Sequence, residues 1–184
     1  MTNSNQLPKV VYGVFCGNIN QETAQKIANT LAVASNGGVE QVHLLLQSTG
    51  GTVGDGVFLH NLFKALTLDL TVYNAGQIAS IATVAYLGAK GRKTSASATF
   101  MLHRSTNSPQ FATAARMTAI AQSLALDDER TDAILRKHLS FPENLWTQLE
   151  YHDLYLSAEE AVKYGIAEEV AEFAPPLGMK IFNI

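Results

Sequence analysis

The chain holds one cysteine, Cys16, in 184 residues. No intrachain disulfide can form, so a disulfide-stapled scaffold is excluded and a reducing, cytoplasmic compartment is expected. No apolar run is long enough to cross a bilayer, so no membrane partner is expected. The opening Met1-Thr2-Asn3-Ser4-Asn5-Gln6 lacks the charged and apolar regions of a secretory signal. There is no basic block, and the formal net charge is -3, which argues against nucleic acid as a partner. No His/Cys/Asp spacing reads as a metal site. Internal repeats, low-complexity segments and linkers are also missing. What remains is a composition 47% hydrophobic and 16% charged, that of a globular chain. Its length suits one domain over residues 1–184, with a sizeable core.

The pattern along the chain alternates strands and helices. Val10 to Phe15 is an apolar, β-branched run and reads as a strand. Asn20 caps a helix from about Gln21 to Ala34, with Ala24, Ile27, Ala28 and Leu31 on one face. Val42 to Leu46 is a continuous apolar run, as in a strand buried on both faces of a parallel sheet. Asp55 to Leu66 carries a helical stripe at positions 58, 59, 62, 63 and 66. Leu70 to Tyr73 is the next strand, then a small-residue helix from Ser80 to about Leu87, then short strands near Lys93–Ser95 and Thr99–His103. Residues 110–139 contain neither glycine nor proline and predict a helix of roughly 45 Å. Its apolar positions, among them Phe111, Met117, Ile120, Leu124 and Leu135, allow only partial burial, so it reads as an arm packing on another subunit. The alternative is two shorter helices broken near Asp127-Asp128. Ser140-Phe141-Pro142-Glu143 and Ser157-Ala158-Glu159-Glu160 fit capping boxes. The second helix should end at Gly165, Ile166 to Val170 is a candidate last strand, and residues 172–184 read as an irregular tail. The expectation is an α/β fold with mainly parallel strands.

Several residues carry chemistry on this framework. Ser80 follows a glycine-led turn, Gly76-Gln77-Ile78-Ala79, and opens a helix. His103 ends a strand, and Asp153 lies just before a helix start. Gly50-Gly51 bends the chain after an apolar strand. A nucleophile, a base, an orienting acid and free backbone N–H groups are what acyl transfer to serine requires. Each residue alone has a plain structural reading; their joint presence carries the catalytic one. His43 and His60 read as structural, and His138 as a cation favoured by a helix C-terminus.

Four motifs in order resemble the proteolytic subunit of the Clp protease. They are Ser48-Thr49-Gly50-Gly51, Gly76 to Ser80, Met101-Leu102-His103, and Asp153-Leu154-Tyr155-Leu156-Ser157-Ala158-Glu159-Glu160-Ala161 leading to Tyr164-Gly165. The resemblance implies a ClpP/crotonase-like spiral of repeated ββα units, with residues of about 110–139 as a protruding handle helix. It implies a serine endopeptidase with Ser80 as nucleophile, His103 as base and Asp153 as orienting acid. The oxyanion donors would be the backbone N–H groups of Gly51 and Ile81. Gly50, Gly51, Arg104 and Ser105 would line the peptide. No metal or organic cofactor is required by such a mechanism. The implied partners are peptides or unfolded proteins and further copies of the chain, as a heptameric ring or stacked heptamers around a closed chamber. An unfoldase ATPase is a further implied partner, although only Met1 to Lys9 precedes the first strand to meet it.

The chain departs from the family pattern in places. Thr49 replaces a proline and Gln47 an asparagine. Arg104-Ser105-Thr106-Asn107-Ser108-Pro109 replaces a Gln-Pro and glycine-pair segment that forms a strand beside the substrate and between rings. His152 stands where many members have an arginine that pairs across rings, so ring contact would become pH-dependent. Three other functions compete: a non-catalytic ring subunit, an acyl-CoA hydratase or isomerase of the crotonase class, and a Ser/Lys peptidase using Lys90 or Lys93.

Overall fold

Asn20 is an effective start signal because its side chain accepts from the Thr23 N–H while Thr23 Oγ1 accepts from the Asn20 N–H. The helix it caps, α1 (Gln21–Asn36), buries Ala24, Ile27, Leu31 and Ala34 and leaves Val33 exposed. The computed structural model describes residues 8–184, so most of the short leading segment 1–9 lies outside the described residues. The remaining elements are β1 (Val10–Cys16), β2 (Gln41–Ser48), α2 (Val53–Ala65), β3 (Asp69–Ala79), α3 (Ile81–Tyr86), β4 (Gly91–Thr94), β5 (Thr99–Leu102), α4 (Ala114–His138), α5 (Glu143–Tyr151), β6 (Leu154–Ser157), α6 (Ala158–Lys163), β7 (Glu169–Val170) and β8 (Ile181–Asn183).

The main sheet runs in the order β6-β5-β3-β2-β1-β8, with β4 pairing β3 and β7 pairing β4. Every pairing among the described residues is parallel except β5 with β6. The apolar runs of β2 and β3 follow from this, since Leu44, Leu46, Leu70, Val72 and Ile78 are all buried in a sheet with elements packed over it. The core also takes Leu59 and Phe63 from α2, Tyr86 from α3 and Phe100 from β5. Each such side chain contributes about 1.5–3 kcal/mol on leaving water. The predicted stripe holds at positions 59 and 63, with Leu62 and Leu66 half-buried against the core, but Phe58 is 47% exposed and His60 takes an inward position instead.

Several sequence expectations are corrected. Residues 76–79 form no turn: they are the end of β3, where the strand exchanges β4 for β5 as its neighbour. The handle helix is one unbroken element, but it starts at Ala114 under a Thr113 cap rather than at 110, and spans about 37 Å. Ser140 is not a cap; its N–H bonds to the Tyr164 carbonyl, and α5 begins after Pro142. The Ser157 capping box and the left-handed stop at Gly165 (φ +86°) are as expected. The last strands are shorter and later than predicted. Only Glu169–Val170 pairs with β4, and the tail contributes β8 beside β1 because Ile181–Asn183 finds its unpaired edge. No helix among the described residues is long and apolar enough to cross a membrane.

His138 is the last residue of α4, yet it is no cation at a helix terminus. Its ring lies 5.7 Å edge-on from that of His60, which is buried in α2 and donates from Nδ1 to the Val84 carbonyl of α3 at 3.0 Å. Burial first, then the charges of Arg92, Lys137 and Lys64, hold His138 well below its ordinary 6.5, at about 4. Burial likewise lowers His60. The His138 ring therefore stays neutral in the fold down to about pH 4, while in the unfolded chain it takes up a proton as pH falls through the ordinary histidine range. Stability is full above about pH 7 and is lost progressively toward pH 4. One proton of difference over about 1.5 pH units is worth about 2 kcal/mol. Thermal unfolding followed from pH 7 to pH 5 should show a falling midpoint, with a shallower slope in His138→Leu. An identical slope in the two proteins would refute this reading.

Candidate active site

Four strand ends meet at one end of the sheet, and register alone brings them there. The β3–β5 ladder pairs Ala79 with Met101, so Ser80 and His103 leave adjacent parallel strands side by side. The antiparallel β5–β6 ladder pairs Leu102 with Leu154, so its next facing pair would be His103 and Asp153. The β2–β3 ladder shifts register between Leu46 and Ser48 and ends with Ser48 opposite Ile78, which carries Thr49-Gly50-Gly51 past Ser80. Ligand sites of open parallel sheets lie at such carboxyl ends.

Ser80 is the one non-glycine residue with positive φ among the described residues, at φ 56° and ψ -133°. Such a conformation costs on the order of 1–3 kcal/mol and persists only when its surroundings impose it. They do so here. The Ser80 N–H donates to the Met101 carbonyl at 2.7 Å, and the following helix, α3, is buried from Ile81 to Tyr86. The sharp change from strand to helix turns the side chain outward. Ser80 Oγ makes no helix cap; it lies 2.7 Å from His103 Nε2. With the ring proton on Nδ1, the Ser80 hydroxyl donates to Nε2.

The glycine pair approaches this serine without room for a methyl group. A Cβ on Gly50 (φ +101°) would lie 2.6 Å from the Ser80 Cβ, and one on Gly51 (φ +149°) would overlap the Ile19 carbonyl. Gly51 is held by a parallel bridge to Ile19, whose bonds run from the Ile19 N–H to the Gly50 carbonyl and from the Thr52 N–H to the Ile19 carbonyl, each 2.8 Å. The Gly51 N–H is left without a backbone partner by this pattern. Ile81 is the first residue of α3, so its N–H has no partner within the helix. Both donors flank a cleft of about 250 Å³ that also includes Ser80 and His103, with Val53, Val84, Leu102 and Leu135 among its walls and Arg104 and Ser105 at its polar side.

Asp153 is brought close but not bonded. It is exposed and lines an adjoining hollow with His103, Arg104 and His152, and no hydrogen bond joins it to His103 among the described residues. Residues 103–109 form no strand in the chain. Instead, two carboxylates that sequence inspection did not single out for the site reach this segment from α4. Asp128 Oδ1 accepts from the Ser105 N–H at 2.7 Å, and Asp132 pairs with Arg104 at 3.3 Å. Their sequence distance from His103 gave no signal of the contact. No group of three or more potential metal ligands occurs among the described residues.

This geometry and topology define a Clp-type α/β fold. The family model for Clp protease matches residues 4–174, and the chain belongs to that family. It is 26% identical over 156 residues to an ATP-dependent Clp protease proteolytic subunit 3 from Rhizobium etli, covering 84% of this chain and 80% of the relative. It is 23% identical to the proteolytic subunit 2 from Pseudomonas aeruginosa, covering 84% and 77%. The fold matches that of a ClpP1 mutant from Listeria monocytogenes with a TM-score of 0.77 at 23% identity, over 90% of this chain and 92% of the other.

The strain at Ser80 has a measurable consequence. Ser80→Gly should be more stable than Ser80→Ala by about 1 kcal/mol, because glycine alone accepts this φ freely. Chemical denaturation of the two variants checks it; equal midpoints would contradict the strained geometry.

Proposed function

We propose that the chain is a serine-type endopeptidase with Ser80, His103 and Asp153 as its triad. The observation that carries this reading is the 2.7 Å contact between Ser80 Oγ and His103 Nε2 at a strained strand-to-helix turn. A free serine hydroxyl is a weak nucleophile, and a base within hydrogen-bond reach is what activates it.

Ser80 Oγ attacks the scissile carbonyl carbon as His103 Nε2 takes its proton. The carbonyl oxygen becomes an oxyanion, met by the N–H groups of Gly51 and Ile81, each worth on the order of 3 kcal/mol at the transition state. The intermediate collapses, the C–N bond breaks, and the proton on His103 passes to the leaving amine. Water then enters, gives a proton to His103, and attacks the acyl-serine; the ester bond breaks and the proton returns to Ser80. Asp153 acts by orienting the imidazole through Nδ1, a contact that requires the segment just before β6 to bring its carboxylate to the ring. The substrate is a peptide or an unfolded segment lying along Gly50-Gly51 and Arg104-Ser105. We further propose one peptidase domain over residues 1–184, working in the cytoplasm as a homo-oligomeric ring, heptameric or stacked in pairs, with an unfoldase ATPase as a feeding partner. The exposed Phe111, Met117 and Leu126 around and along α4 suit burial against another copy.

A second reading, a non-catalytic ring subunit, is favoured by the unbonded and exposed Asp153. Membership in the Clp protease family weighs against the acyl-CoA alternative, and the Ser80–His103 contact weighs against a lysine base.

A fluorophosphonate probe tests the proposal. Labelling should fall on Ser80, with His103→Ala lowering peptide cleavage on the order of 10⁴-fold or more. Absence of labelling in a preparation verified as oligomeric by native mass measurement would favour the non-catalytic subunit.

A further inference from the structure

The base stands one residue beyond the last ladder pair of β5, so its backbone is held by the sheet on one side only. On the other side the chain enters residues 104–109, which have no regular structure. Among the described residues, the hydrogen bonds made by this segment all end on α4. The Ser105 N–H donates to Asp128 Oδ1 at 2.7 Å, and Arg104 Nη1 donates to Asp132 Oδ1 at 3.3 Å. Asp132 is itself fixed, since its second oxygen accepts from Arg136 Nε at 2.6 Å and the Arg136 guanidinium lies over the Trp146 ring at 4.3 Å. Arg104 and Asp132 are only 26% and 21% exposed, so their attraction is screened less than that of a surface pair.

We propose that Asp128 and Asp132 are positioning residues for His103. They tie down the chain immediately after the base and thereby hold its imidazole against Ser80. The proposal rests on the peptidase reading for its kinetic consequence, but its geometric content does not. A hydrogen bond from a backbone N–H to a carboxylate is about twice as strong as a neutral one and directional, so it fixes the peptide plane two residues from the ring. The Arg104–Asp132 pair fixes the residue between. With Asp153 unbonded, these α4 contacts restrain the base on the side that the β5 ladder does not hold, together with Ser80 itself.

The experiment uses the full-length chain. Asp128→Ala should lower kcat for a peptide substrate, and the rate of fluorophosphonate labelling, at least tenfold, with KM and the unfolding midpoint little changed. Asp128→Asn keeps an oxygen acceptor for the Ser105 N–H and should recover to within about threefold. Arg104→Gln and Asp132→Asn should each lower the rate, and the double variant should lose no more than the worse single one. Glu129→Gln, an exposed neighbour on α4, should change nothing. A wild-type labelling rate in Asp128→Ala, or a loss in Asp128→Asn as deep as that in alanine, would overturn the proposal. If the wild-type protein is never labelled, the peptidase reading fails, and the crystal structure of Asp128→Ala decides separately. Loss of the Ser80 Oγ to His103 Nε2 contact supports the positioning role, and its retention overturns it.

Discussion

The constraint on which the structure depends is the register of β3. This strand is hydrogen-bonded to β2 along one edge and, in succession, to β4 and β5 along the other. A slip by one residue would move Ile78 and Val72 out of the core and carry Ser80 away from both Gly50 and His103. Burial of the apolar face of β3 therefore does two things at once. It stabilises the sheet, and it sets the position of a hydroxyl group at the sheet's end.

Packing also sustains the local strain. Ser80 is held at positive φ by a strand before it and a fully buried helix after it, and the Thr83 hydroxyl bonds back to the Ile78 carbonyl at 3.3 Å. Gly56 lies so close to Ile81 that a side chain there would overlap it, which presses α2 onto the start of α3. The cost of one unfavourable backbone conformation is small beside the burial of six consecutive α3 residues. The outward position of the Ser80 hydroxyl and the burial of the helix behind it are thus two results of the same packing.

Much of this was legible in the chain itself. Strands and helices alternate with clear periodicity, so the parallel α/β fold and the single long α4 could be read from pattern. Ser80, His103 and the Gly50-Gly51 bend could be found because each sits at the end of an apolar run, where the sheet must deliver it to solvent. Other features resisted. The end of β3 looked like a turn because Gly76 is a breaker by propensity, whereas tertiary pairing with β5 keeps it extended. His138 looked like a cation at a helix terminus because its burial against His60 arises only from the packing of α4 on α2 and α3. The Asp128 and Asp132 contacts cross more than twenty residues of chain and leave no periodic trace. Polar long-range contacts lack the repeat that makes apolar ones readable.

The tail bears on the other side of the sheet. Without β8, the seven residues of β1 would end the sheet with a row of unpaired N–H and C=O groups, open to any extended chain that met them. With β8 in place the terminal strand is three residues long, and Ile184 closes its far end by donating to the Val14 carbonyl at 3.0 Å. A ragged, three-residue margin is a poor template for intermolecular strand addition. The segment that looked least structured thus covers the middle of β1, from Tyr12 to Val14, and shortens the open edge of the sheet.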